Sequence, residues 1–233
     1  MKPHIVIRKF HRWLGLLIGV QVVLWLAGGL VMSFFDIDQV RGSHNSVKVQ
    51  PVAIEQKVSF DSSKLIASLP FTATKIELTH WQDRLVWRAS NKQQVQIVDA
   101  QSGDVLSPFN QVSAELVANR DFSGNGQLVA SQLIEQSSYE IRGRELPLWQ
   151  MQFDDADNTR IYVSPATGEV VARRNDTWRL FDFFWMLHIM DYQERDDFNH
   201  PLLIIAALLG LLFSLTGVYL VVKTVFLKRK LNV

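Results

Sequence analysis

Cysteine is absent from all 233 residues. Disulfides, thiolate metal sites, thiol redox chemistry and thioether-linked haem are thereby excluded. Acidic residues are missing from both ends: all 23 lie between Asp36 and Asp197. The ends carry only positive charge, with Lys2, Arg8, Lys9 and Arg12 at one and Lys223, Lys228, Arg229 and Lys230 at the other. The middle sets 16 basic against 23 acidic residues, a net of −7, while the two flanks total +8. Long like-charge tails and Gly/Ser-rich or Pro-rich linkers are lacking as well. So are GxSxG, HExxH and P-loop patterns, which removes the familiar nucleophile-elbow, zinc-protease and nucleotide-binding readings.

What the chain does have is two long apolar runs. Trp13 to Phe35 holds 23 residues without a formal charge, interrupted by Gln21 and Ser33. As a helix it would be roughly 34 Å long, enough to cross a hydrocarbon core of about 30 Å. Pro201 to Val222 is similar, with Ser214, Thr216 and Tyr219 as its polar members. The first run is too long for a signal peptide, and Asp36-Ile37-Asp38-Gln39 after it is no small-residue cleavage pattern, so an uncleaved anchor is expected. Basic flanks are retained in the cytoplasm, which predicts two cytoplasmic termini and an extracytoplasmic segment of 165 residues between them. An acidic domain in that compartment argues against nucleic-acid binding.

The exported segment contains an internal echo. Val98-Asp99-Ala100-Gln101-Ser102-Gly103-Asp104-Val105 and Val163-Ser164-Pro165-Ala166-Thr167-Gly168-Glu169-Val170 match in order at an offset of 65. Each reads as a strand–turn–strand hairpin whose glycine supplies the positive φ of the turn. A Trp-bearing strand candidate precedes each, at Arg84–Ala89 and Pro147–Phe153. Helical candidates lie further upstream. Phe60, Leu65, Ile66 and Leu69 form one, with Asp61 or Ser62 as N-cap and Pro70 as its stop. Leu128, Leu133 and Ile134 suggest the other, after a loop over Asp121 to Gly126. The expectation is α+β: two transmembrane helices flanking a domain of two repeats, each a helix plus an antiparallel meander. The segments are 1–12 and 223–233 for the cytoplasmic ends, 13–35 and 201–222 for the spans, 36–110 and 111–176 for the repeats, and 177–200 for the connection.

Topology sorts the six histidines. His4 and His11 belong to the cytoplasmic edge, while His44, His188 and His200 belong to the outer face; His80 ends a strand. Trp178, Phe181, Phe184, Trp185 and His188 make an aromatic stripe suited to an interfacial helix. His188 is thus placed to meet a haem edge, a partner subunit or the headgroups. His200, before Pro201, reads either as a neutral ligand or as a neighbour of a helix start. Asp191, Glu194, Asp196 and Asp197 offer hard oxygen ligands for Fe³⁺ or form a solvated loop. A span's width separates His11 from His188, so the two cannot ligate one iron. Small residues (Gly15 and Gly19; Ala206, Gly210 and Ser214) permit close helix approach, within the chain or in a homodimer. Two helices enclose a haem poorly, which favours the homodimer.

The hairpins, each after a Trp-containing strand, resemble those of PepSY domains. His11-Arg12-Trp13-Leu14-Gly15, and Trp178-Arg179-Leu180 through Leu187-His188, resemble the PepSY-associated transmembrane family. Larger members of that family have about four spans and include bacterial inner-membrane proteins that reduce siderophore-released iron, with haem held by membrane histidines. The chain is more similar to the short, two-span VciB-like proteins linked to ferrous iron acquisition. It departs from the larger family after the Leu-His pair, where glycine is usual and Met190 stands. The resemblance implies ferric reduction at the periplasmic face of the inner membrane, with a ferrous iron transporter and a respiratory electron donor as partners. It implies haem b, with His11, His188 and His200 as haem or iron ligands and His44 with the acidic loop gathering iron. It also admits a non-catalytic role, since PepSY modules bind and restrain peptidases, or support for a transporter or reductase.

Overall fold

The computed structural model describes residues 3–48, 53–54 and 57–227. Lys2, Lys228, Arg229 and Lys230 of the basic flanks lie outside the described residues. In chain order the elements are α1 (Pro3–Phe34), α2 (Ile37–Arg41), a 3-10 turn (Ser43–Asn45) and α3 (Ser62–Ser68). Three strands follow, β1 (Lys75–Trp81), β2 (Arg84–Ser90) and β3 (Val95–Asp99), and then α4 (Gln111–Asp121). Next come β4 (Leu128–Ile134), β5 (Leu148–Phe153), β6 (Arg160–Val163), β7 (Val170–Arg174), α5 (Asp176–Ile189) and α6 (Pro201–Val221). A π-helical turn over Val222–Leu227 closes the described chain. The chain divides into two compact units, Met1–Asp36 with Leu180–Val233, and Ile37–Arg179.

In the first unit, α1 and α6 are both long and apolar enough to cross a membrane. Large aliphatic side chains such as Leu16, Leu17, Val20 and Leu26 of α1 are exposed, as a lipid-facing surface requires. The two helices pack through small residues. A Cβ on Gly15 would lie 3.0 Å from the Phe213 ring, and one on Gly210 would lie 3.1 Å from the Trp25 ring. Ala206 is buried. Gly15 and Gly210 therefore serve packing within the chain, whereas Gly19 meets nothing within 4 Å.

The second unit shows the repeat atom by atom. β1-β2-β3 form one antiparallel sheet and β4-β5-β6-β7 another. The caps correspond: Asp61 accepts from the Lys64 amide in α3, and Asn110 accepts from the Ser113 amide in α4. The residue before each cap is a phenylalanine, and the two amides bond alike, Phe60 to Ala100 O and Phe109 to Pro165 O. A strand tryptophan donates back to each phenylalanine carbonyl, Trp87 to Phe60 at 2.7 Å and Trp149 to Phe109 at 3.0 Å. The hairpin turns repeat the pair Gly103→Asp99 O with Asp99→Asp104 O as Gly168→Ser164 O with Ser164→Glu169 O.

One expectation is corrected. Leu128 to Ile134 is the strand β4, and the second helix lies earlier, at Gln111–Asp121. The spacing of Leu128, Leu133 and Ile134 never matched a helical stripe. Asn110 caps α4, whose buried face is Ala114, Val117 and Ala118, and small alanines give a faint hydrophobic signal. That face packs on Met151, Phe153, Ile161 and Val163 of the second sheet. The other side of the sheet is covered by Ile141 against Leu148, Tyr162 and Ala172. In the first sheet, Leu65 of α3 packs on Ala89 and Val98. Trp81 stacks on Phe109 at 4.3 Å and donates to Gly168 O, joining one repeat to the other.

Candidate functional site

Two histidines occupy opposite ends of the α1–α6 pair. His11, in α1, lies against Phe213, Thr216 and Gly217 of α6. Its Nδ1 is 2.8 Å from Thr216 Oγ1, and its ring is parallel to Phe213 within 2° at a centroid distance of 4.5 Å. His188, near the end of α5, lies beside Gly28 and Trp25 of α1. The 17 residues from His11 to Gly28 correspond to roughly 25 Å of helix. The separation expected between His11 and His188 is therefore present.

The end of α5 explains several polar residues at once. In the last turn the carbonyls of Leu187, His188 and Ile189 have no helical amide ahead of them. Gln21 Nε2–H donates to Leu187 O at 3.0 Å, and Trp25 Nε1–H donates to His188 O at 2.7 Å. His200 Nε2–H donates to Ile189 O at 2.8 Å, while its Nδ1 accepts from the Leu203 amide at 3.4 Å as the N-cap of α6. Both nitrogens of His200 are thus engaged, and neither keeps a lone pair free for a metal. The buried Nδ1 of His188 makes no hydrogen bond.

The acidic loop is organised around one member. Asp191 accepts from the amides of Gln193, Glu194, Asp196 and Asp197 at 3.1–3.2 Å. Burial opposes its ionisation, but these four bonds outweigh that and bring its pKa down to about 2. Arg195 pairs with the buried Asp182 of α5 at 2.6 Å, and its carbonyl accepts from Trp185 Nε1–H. Among the described residues no three His, Asp or Glu side chains converge as a metal-binding group. His44 belongs to the other unit, with Nδ1 3.2 Å from Asp38 O and Nε2 4.0 Å from Asp157.

That unit holds a second polar cluster that sequence reading missed. The buried Glu140 accepts from Tyr162 Oη at 2.5 Å, Arg179 Nε at 2.8 Å and Arg160 at 3.2 Å. Burial opposes its charge, yet the bonds from Tyr162 and Arg179 hold its carboxyl below the usual range. Burial, then Glu140, pushes the Tyr162 hydroxyl up. Burial, then Arg144, brings the Arg174 guanidinium down to about 10. A carboxylate so fully engaged is a structural counter-ion rather than a proton carrier.

A model of the PepSY-associated TM region matches residues 8–231. The chain belongs to this family. No curated protein and no solved structure matches it. The match runs across both membrane helices and the domain between them, so the chain is a membrane protein of this family. Gln21 and Trp25 carried one usable signal in the sequence: an amide in an apolar run needs a partner. Glu140 carried none, because its three partners come from β6 and α5.

Proposed function

We propose that this protein is a membrane redox carrier that reduces Fe³⁺ to Fe²⁺ on the side of the membrane reached by residues 36–200. The observation that carries this reading is the state of two imidazoles. His188 has a buried nitrogen without a hydrogen-bond partner, and His11 is held through Nδ1 while Nε2 makes no hydrogen bond among the described residues. Neutral imidazole nitrogens are the usual protein ligands of b-type haem iron, so this donor set fits such a group. His11 and His188 would hold it at two separate levels, each with a further ligand from a second copy of the chain. Bound haem supplies one-electron chemistry. The protein's own part is to fix each ring: Thr216 and Phe213 at one end, and the Gln21 and Trp25 clamp on α5 at the other. His200 acts as the cap that ties α6 to the end of α5. Asp191 orders a loop whose remaining carboxylates, Glu194, Asp196 and Asp197, attract the ferric substrate. One electron from a respiratory donor converts each Fe³⁺ to Fe²⁺, which a ferrous transporter then takes up.

The second reading is non-catalytic binding of a partner protein, including a peptidase, a transporter or a reductase. A groove of about 1090 Å³ in the Ile37–Arg179 unit favours it, because its walls include the sheet-edge strands β1 and β7. The visible spectrum of the detergent-purified protein separates the two. A Soret band that shifts on dithionite reduction is expected, weakened in His11→Ala and His188→Ala and kept in His200→Asn. Protein without a Soret band, even after growth with excess haem, would leave binding as the better account.

A further inference from the structure

We infer that Thr216 is the positioning residue of His11, locking its ring in the Nδ1–H tautomer so that the Nε2 lone pair is the one presented. This rests on the reading of His11 as a ligand, and it specifies which nitrogen binds and what selects it.

The number of available hydrogens decides the tautomer. Thr216 has one hydroxyl hydrogen, and its Oγ1 is 2.9 Å from both Leu212 O and Phe213 O, which can only accept. With the proton on Nδ1, the ring donates to Oγ1 at 2.8 Å and the hydroxyl donates to a helix carbonyl. Both hydrogens are then used. With the proton on Nε2, the hydroxyl must turn to Nδ1, and the Nε2–H is left without an acceptor among the described residues. The first arrangement thus makes two internal hydrogen bonds where the second makes one, and it is favoured by that extra bond.

The rest of the pocket fixes the ring plane. Phe213 stacks on it, and Gly15 makes room for Phe213. A Cβ on Gly217 would come within 3.2 Å of His11 Cε1, so glycine lets the ring lie against the α6 backbone. Phe213, Thr216 and Gly217 fall at i, i+3 and i+4, one face of α6. A group that hydrogen-bonds the other nitrogen of a histidine ligand orients its ring and sets its tautomer.

The test uses the full-length chain, labelled with ¹⁵N-histidine, free of haem and in detergent at alkaline pH. Long-range ¹⁵N–¹H correlation reads the tautomer, and His11→Gln identifies the His11 signals. The wild type is expected to show a protonated Nδ1 and an unprotonated Nε2. Thr216→Ser should keep that pattern and Thr216→Val should lose it. A wild-type His11 protonated at Nε2 would overturn the inference, as would an unchanged tautomer in Thr216→Val. If the valine variant does not fold, the wild-type and serine spectra still decide. Haemin titration of the same samples addresses the ligand reading separately. Thr216→Val is expected to weaken binding about 10- to 100-fold, the usual effect of losing the hydrogen bond that orients a ligand histidine. The expected tautomer in a protein that takes up no haemin would leave the Thr216 assignment standing and remove the haem reading.

Discussion

Met190 follows the last helical residue of α5 with φ +58°, in the left-handed region that ends many helices. The larger family that the chain resembles usually has glycine here, and the backbone shows why. An L side chain in that region costs about 1–2 kcal/mol, from which the extra unfolded-state freedom of glycine takes back about half. Met190→Gly is therefore expected to stabilise the protein by about 0.5–1 kcal/mol, read as a higher thermal midpoint in detergent; a lower midpoint would refute the C-cap account. The next residue sets a pH limit. Because the Asp191 carboxyl is depressed to about 2, its stabilisation of the loop is fully present above the ordinary Asp range near 3.9. It is lost as pH falls towards 2. Amide protection in residues 191–199, taken relative to the intrinsic exchange rate at each pH, should be high at pH 5 and low at pH 2 in the wild type, and already low at pH 5 in Asp191→Ala. Equal exchange in the two proteins at pH 5 would show that Asp191 does not hold the loop. The sequence placed Asp191 among acids equivalent to one another, since side-chain spacing carries no record of which carboxylate the amides turn towards.

The two hairpins were legible because a glycine at a fixed place in an ordered phrase reports backbone shape directly. Gly103 and Gly168 have φ of +83° and +66°, as that reading requires. The phrase also marked tertiary contacts that no local pattern shows. A Cβ on Gly168 would overlap the Trp81 indole nitrogen and come within 2.8 Å of Phe109, whereas Gly143, at φ +69°, has nothing within 4 Å. Gly143→Ala therefore bears only the left-handed cost of about 1–2 kcal/mol, and Gly168→Ala adds overpacking of about 1–3 kcal/mol. Gly168→Ala should lower the thermal midpoint more than Gly143→Ala; equal effects would mean that Trp81 and Phe109 yield freely. The α4–β4 exchange was illegible for the opposite reason. Ala114 and Ala118 are buried by what surrounds them rather than by marked hydrophobicity, and β4 carries exposed Val129 and Leu133. Hydrophobic pattern alone then points to the wrong segment.

The arrangement of charge along the chain carries information that neither fold nor packing can replace. Two helices able to span a membrane bound a segment of net charge −7, and the chain on either side of that segment carries basic charge only. Retention of basic flanks in the cytoplasm predicts both ends on that side and residues 36–200 on the other. The proposed chemistry depends on this, because His188 and the acidic loop must face the compartment that supplies ferric iron. His11 then lies near the donor's side. The absence of cysteine makes the claim directly measurable, since any introduced thiol is the only one in the chain. Lys92 is exposed in the turn between β2 and β3, and Lys9 is exposed on α1 ahead of its apolar stretch. In intact spheroplasts, Lys92→Cys should react with a membrane-impermeant maleimide while Lys9→Cys reacts only after lysis. The reverse pattern would put the acidic loop in the cytoplasm, where it could not receive periplasmic Fe³⁺, and the ferric-reduction proposal would fail whatever the spectrum showed.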